Sequence, residues 1–240
     1  CAPLQCVPWP DHPWQKIGLD ITGPFHRLPS SMKYALVFVD YHSKWAEVTF
    51  ASAIDTKTVL QAMKQIFARE GLPETLVTDN GVQFVSSDMI DYLSLHCIKH
   101  FQTALYDPQT NGQVERFNRF LKDSIKITLE GSTDPLESIR ERIWDYNITP
   151  HTTTGVSPFF LLRGRNPSFL ICPWWVQKLA PMKTTPSPQD LLPDIHNRVI
   201  SKQIKSKIQY DQRRKVKPIL FCVGDWVRVK LPRYVHKGGS

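Results

Sequence analysis

QKIGLDITGP, residues 15–24, carries the reading on which the fold turns. Ile17, Leu19 and Ile21 alternate with Gly18 and Asp20, the two-residue period of a β-strand with one apolar face. Gly23-Pro24 ends the run. Asp20 sits between two inward-pointing apolar residues, so its side chain is directed to the opposite face. Outward from this stretch, residues 1–14 are rich in Pro and Trp and read as an irregular lead-in. Tyr34 to Val39 is a run suited to a buried strand, Asp40 to Ser43 makes a turn, and Trp45 to Phe50 reads as the next strand. The three strands predict an antiparallel meander.

Beyond the meander, strands and helices alternate. Asp55 or Thr56 caps a helix whose apolar face is Val59, Leu60, Met63, Ile66 and Phe67, and Gly71 and Pro73 stop it. Leu76 to Thr78 form a short strand that delivers Asp79 at its C-terminal end, before the turn Asn80-Gly81. Ser86 or Ser87 caps a second helix with Ile90, Leu93 and Leu95 facing inward, and Ile98 to Thr103 reads as a fifth strand. Pro108 to Gly112 is a polar loop; then Val114, Phe117, Leu121, Ile125 and Thr128 to Leu129 recur at helical spacing. Asp134-Pro135 caps another helix, with Ile139, Ile143 and Tyr146 along one face. The order β-β-β-α-β-α-β-α-α predicts an α/β fold: a mixed five-stranded sheet with helices on both faces.

The charge is uneven. Residues 1–195 hold 18 basic and 20 acidic residues, a net of −2, whereas residues 196–240 hold 12 basic and 2 acidic, a net of +10. A basic end on a near-neutral domain suggests a polyanionic partner. Ile195, Val199, Ile200, Ile204 and Ile208 place a basic amphipathic helix there, after a linker-like stretch, PMKTTPSPQD at 181–190. Phe221, Val223 and Trp226 to Val229 introduce a further strand through Gly224-Asp225. No apolar run approaches the ~20 residues of a membrane span, and no membrane partner is expected; nor is a signal peptide visible. Five scattered cysteines (Cys1, Cys6, Cys97, Cys172, Cys222) without a CxxC pair argue against a disulfide framework and for a reducing, intracellular setting. His96 and His100 flank Cys97 but lack further ligands at zinc spacing.

Three acids from three separated elements, Asp20, Asp79 and Glu115, are what a protein needs to hold two divalent cations, a common way to break and join phosphodiesters. Carboxylates suit Mg²⁺ or Mn²⁺. Taken singly, each acid has an ordinary role: Asp79 as a turn former before Asn-Gly, Glu115 as a first-turn acid favoured by the helix dipole. Asp40 rivals them as a third ligand but sits in the turn at the far end of its strand. Arg119, Lys122 and Lys126 follow Glu115 on its own helix face, a row suited to a phosphate backbone; an Arg119–Glu115 ion pair on a solvated face is the competing reading.

These motifs resemble the integrases of gypsy-class LTR retrotransposons and, more distantly, those of retroviruses. PWQKIGLDITGP (13–24) is similar to the family's first-acid segment and YALVFVDYHSKWAEV (34–48) to its second and third strands. GLPETLVTDNGVQF (71–84) resembles the second-acid segment and DPQTNGQVERFNRFLK (107–122) the third. YNITPHTTTGVSPFFLLRGRNP (146–167) resembles the stretch after the core, and YDQRRKVKPILFCVGDWVRV (210–229) the entry to a C-terminal domain. The resemblance implies an RNase H-like catalytic core over 15–170, a linker over 171–190, a basic helix over 191–217 and the start of a truncated small β-barrel over 218–240. It implies Asp20, Asp79 and Glu115 as catalytic and metal-binding residues for two Mg²⁺ or Mn²⁺ ions. It implies 3′-end processing and strand transfer of element DNA into target DNA, by a homo-oligomer in the nucleus. Tyr106 and Asn111 would lie beside the DNA end, Arg119 and Lys122 on its phosphates, and Gly112 would let the loop move.

This sequence departs from the family's pattern in three places. The zinc-binding module expected upstream is not seen in these residues. Asp107 stands where the family commonly has His before Pro-Gln, bringing negative charge near the DNA end. The barrel is cut after its first strand. An intact triad favours an active enzyme; the alternative is a host-captured, non-catalytic DNA-binding or interaction module derived from such an element. An RNase H-like nuclease unrelated to integration is disfavoured by the segments after residue 145.

Overall fold

The computed structural model describes residues 8–102, 112–132, 134–167, 187–213 and 226. Five strands form one sheet: β1 (Lys16–Thr22), β2 (Tyr34–Asp40), β3 (Ala46–Ala51), β4 (Thr75–Thr78) and β5 (Lys99–Gln102), in the order β3-β2-β1-β4-β5. The β1–β2 and β2–β3 pairs are antiparallel, the meander expected from the turns; β1–β4 and β4–β5 are parallel, joined through helices. These helices are α1 (Thr56–Glu70), between β3 and β4, and α2 (Ser87–Leu95), between β4 and β5. After the sheet come α3 (Gly112–Gly131), α4 (Pro135–Ile148), α5 (Pro158–Arg163) and α6 (Pro188–Arg213).

The alternation in β1 sorts the chain into two cores. Ile17 and Leu19 of β1 and Leu36 and Phe38 of β2 pack against Val59, Met63 and Ile66 of α1 and Met89 and Leu93 of α2. Ala35, Val37 and Val39 of β2 face the other way, onto Val114, Phe117 and Leu121 of α3 and Ile139 of α4. Gly18, on that second face, explains the close approach of α3: a Cβ there would overlap Val114 Cγ2 and lie 2.9 Å from Tyr41 Cε2. Side-chain caps set the helix starts. Asp55 accepts from Thr58 N, Ser86 from Met89 N, and Asp134 from Leu136 N and Glu137 N. Gly71, at φ 93°, ends α1.

Some expectations shift. In α2, Leu93 is buried, but Ile90 and Leu95 are 50% and 78% exposed; Met89 and Tyr92 take the inward positions, sharing Leu93's face at three- and four-residue spacing. The third strand runs one residue later than Trp45 to Phe50, because Lys44 at φ 73° prolongs the turn. Helix α6 begins at Pro188, inside the stretch read as linker. Its first half is anchored, with Ile195 and Val199 buried against Leu161 and neighbours, while Ile200, Ile204 and Ile208 remain exposed among the described residues. Apart from residues 187–190 and 226, the segments read as linker and barrel start (171–190 and 218–240) lie outside the described residues.

Candidate active site

The register of the sheet brings two of the three acids together. Parallel pairing of β1 with β4 aligns Ile17 with Leu76 and Gly18 with Val77. Carried two residues further, the same register sets Asp20 level with Asp79. Asp79 lies just past β4, where its Oδ1 accepts from Gly81 N at 3.0 Å. The turn role read from Asp-Asn-Gly is therefore real, and it leaves the residue exposed at the end of the strand. Glu115 stands in the first turn of α3, which Gly18 lets pack onto β1.

Asp20 is half-buried, the least exposed of the three. Its Oδ1 accepts from Ile21 N at 2.9 Å and its Oδ2 from Asn118 Nδ2 at 2.6 Å. Burial pushes its carboxyl above the ordinary range, the charges of Asp79 and Glu115 push the same way, and the two hydrogen bonds oppose them. Asp20 thus lies within electrostatic reach of both other acids. Asn118 was not singled out by the sequence reading. Its signal was available: it falls four residues after Val114, a polar side chain on the buried face of an amphipathic helix. Its Oδ1 is buried and accepts no hydrogen bond among the described residues.

Three carboxylates and an unpartnered amide oxygen are hard donors, so the chemistry of the set fits a divalent cation. Among the described residues, no three His, Cys, Asp or Glu side chains are placed closely enough to hold a metal ion as they stand. The acids are coupled electrostatically without being closed into a ligand cage.

Asp40, the rival third ligand, has a different job. It is fully buried, its Oδ1 accepting from His42 N and its Oδ2 from Ser43 N and Ser43 Oγ. It closes the β2–β3 turn. Arg119 and Lys122 are exposed on α3, as is Lys126. Among the described residues Glu115 makes no ion pair with Arg119, while the face itself is solvent-exposed, as the competing reading had it. Tyr106, Asp107 and Asn111 lie outside the described residues.

The start of α3 has a second support that the sequence reading missed. Gln113 Nε2 donates to Asp40 O at 2.8 Å, while its Oε1 accepts from Lys44 Nζ at 2.9 Å. Lys44 Nζ also donates to Tyr41 O. Desolvation lowers this buried ammonium to about 8, with Asp40 opposing and Arg116 adding to the shift. The β2–β3 turn is thereby clamped to the turn of α3 that carries Glu115.

A five-stranded mixed sheet with one acid within β1 and another just past the adjacent parallel β4, packed by a helix bearing a third, is like the RNase H-like fold of integrase catalytic cores. The chain carries an integrase core domain of the retroviral type: residues 10–108 match the family model described as Integrase core domain. Sequence relatives reach beyond that segment. The Gag-Pol polyprotein of feline leukemia virus is 32% identical over 205 residues, 82% of this chain. The Pol polyprotein of radiation murine leukemia virus (strain Kaplan) is 32% identical over 204 residues, also 82%. An uncharacterized protein of Caenorhabditis elegans is 36% identical over 157 residues, 65% of the chain. The chain spans 12% of the length of the feline virus and nematode proteins and 34% of the murine virus polyprotein.

Solved structures agree in fold. A chain of the simian T-cell lymphotropic virus intasome in complex with PP2A regulatory subunit B56 gamma gives a TM-score of 0.60 at 21% identity, over 75% of this chain and 63% of that one. The HTLV-2 integrase catalytic core domain in complex with magnesium (trimeric form) gives 0.54 at 21% identity, over 63% of this chain and 98% of that one.

Proposed function

We propose that this chain is the catalytic part of a polynucleotidyl transferase that processes the 3′ ends of element DNA and joins them to target DNA. What supports the reading is the electrostatic coupling of Asp20 to Asp79 and to Glu115, in a chain whose residues 10–108 match the integrase core. The motif order favours a gypsy-class LTR retrotransposon as the source, acting in the nucleus. By analogy with the magnesium-bound HTLV-2 core and the simian virus intasome, the site takes two Mg²⁺ or Mn²⁺ ions and the chain works as a homo-oligomer on DNA.

In this reading Asp20, Asp79 and Glu115 hold the ions. Bound divalent ions supply Lewis acidity, activating the attacking oxygen and steadying the leaving one. The attacking oxygen belongs to water in end processing and to the freed 3′-hydroxyl in joining; in each case one P–O bond forms in line as another breaks. Asn118 and the Ile21 amide fix the Asp20 carboxylate so that its orientation survives the change in local charge. Arg119 and Lys122 neutralise backbone phosphates, and Tyr106 and Asn111 lie against the DNA end.

The test is strand transfer by the chain on a duplex bearing the cognate terminal sequence, with Mg²⁺ or Mn²⁺. Joining that is lost in Asp79→Asn supports the reading. Joining that survives Asp79→Asn, or a wild-type chain that binds the duplex without ever joining it, overturns the reading; the second result would make the chain a DNA-binding module.

A further inference from the structure

Apart from the triad, a cavity of about 520 Å³ lies between the Pro8–Pro10 segment, the first turns of α3, the end of α4 and the flank of α6. Three cations line it, Lys44, Arg116 and Lys202, and no carboxylate does so among the described residues. Asp40, the acid nearest Lys44 in effect, has both oxygens committed to the backbone and hydroxyl of its own turn. Lys44 itself is 6% exposed and, among the described residues, is hydrogen-bonded to the neutral acceptors Tyr41 O and Gln113 Oε1. Asp40 still offsets Lys44 in charge, but the cavity lining carries cations and no carboxylate among the described residues, and neighbouring groups register the positive field. His151 is pushed down to about 4, first by burial and then by Lys44 and Arg116. Lys44 is the buried cation and Arg116 and Lys202 are exposed, so an anion entering from the α6 side would meet all three.

The walls say what the anion is attached to. Trp9, with one face stacked on His42, and the edges of Tyr41 and Tyr146 line the cavity next to the cations, a combination that suits a base beside its phosphate. We propose that this cavity binds the phosphate of a nucleotide, free or within a nucleic-acid strand, with the nucleoside against the aromatic wall. The phosphate meets Lys44, Arg116 and Lys202. The site shares no residue with the acid triad and stands apart from the reading above.

The experiment titrates the metal-free chain with dAMP, with inorganic phosphate and with a single-stranded thymidine tetranucleotide, by calorimetry. Removing two charge-assisted contacts in an Arg116→Ala, Lys202→Ala double variant is expected to weaken dAMP binding by about tenfold or more. Both residues are exposed, so the variant should melt with the wild type. Asp79→Asn and an Arg119→Ala, Lys122→Ala double variant should bind dAMP as the wild type does. Tighter capture of the tetranucleotide than of dAMP identifies a strand as the ligand; equal binding identifies the free nucleotide. Failure of all three probes to bind overturns the proposal, as does loss of binding in the Arg119, Lys122 variant with retention in the Arg116, Lys202 variant. Inorganic phosphate binding as tightly as dAMP overturns the assignment to a nucleotide.

Discussion

Replacing Gln113 with Ala removes both hydrogen bonds that tie the first turn of α3 to the β2–β3 turn. The neutral bond, Nε2 to Asp40 O at 2.8 Å, is worth about 0.5–1.5 kcal/mol. The bond from Lys44 Nζ to Oε1 at 2.9 Å involves a charge and is worth about 1.5–3 kcal/mol. Lys44 would be left buried with Tyr41 O as its remaining acceptor among the described residues, so the loss is expected near the full sum, about 2–4 kcal/mol. For a chain of this size that lowers Tm by roughly 5–15 °C. Urea unfolding followed by Trp fluorescence would measure it. Two further variants separate the clamp from mere truncation. Gln113→Glu keeps an acceptor for Lys44 and should recover the larger part of the loss. Lys44→Met combined with Gln113→Leu replaces the buried polar pair by apolar groups and should be more stable than Gln113→Ala alone. A Gln113→Ala variant within about 0.5 kcal/mol of wild type, or a Gln113→Glu variant less stable than the alanine, would refute the reasoning. Glu115 is two residues along the same turn, so the strand-transfer rate of Gln113→Ala should fall even well below its melting temperature.

Gly18→Ala should cost about 1–3 kcal/mol by overpacking, because the new Cβ meets Val114 and Tyr41; equilibrium denaturation checks it, and an unchanged midpoint would show that α3 is free to move. Asp20→Asn should stabilise the metal-free chain at neutral pH while abolishing joining. The folded-state pKa of Asp20 is raised, so ionisation works against folding: wild-type stability falls as pH rises through that pKa, and the variant's advantage vanishes below the ordinary carboxylate value. Melting curves between pH 3 and 7 would follow this, and Mg²⁺ should raise the wild-type Tm but not the variant's. For Lys44 the sign is opposite. Its folded pKa is lowered to about 8, so wild type should gain stability relative to Lys44→Met as pH rises from about 8 to about 10.5; parallel curves for the two proteins would refute it. Asp134→Ala, which removes the cap on Leu136 N and Glu137 N, should cost about 1 kcal/mol by the same denaturation assay.

The elements were legible because their local signals agree with their tertiary roles. The alternation of Ile17, Leu19 and Ile21 against Gly18 and Asp20 marked β1 and the face on which Asp20 stands. Asp55, Ser86 and Asp134 announced helix starts that the structure uses. The inward face of α2 was misread where apolar character alone was followed: Ile90 and Leu95 are more apolar than Tyr92, yet the packing face is fixed by spacing from Met89. The supports of the site were not legible. Asn118 reaches Asp20 across 98 positions and Gln113 reaches Asp40 across 73, and no local pattern encodes a partner that distant. Asn118 alone left a trace, as a polar residue on an apolar helix face.

The two supports also bear on how acids on three elements would form the proposed site. Asp20 and Asp79 are related by strand register, which a slip of one residue would turn to the other face. Glu115 has no such constraint: it rides on a helix whose approach depends on the missing side chain of Gly18, whose first turn is held by Gln113, and whose next turn is hydrogen-bonded to Asp20 through Asn118. Each contact fixes a different freedom: distance from the sheet, placement of the helix start, and rotation of the acid-bearing face toward β1. Mutual repulsion among the acids works against all three whenever no cation is bound. The polar supports around the triad therefore hold Glu115 against a force that the cations of the proposed reaction would remove, and their loss should be felt most in the metal-free protein.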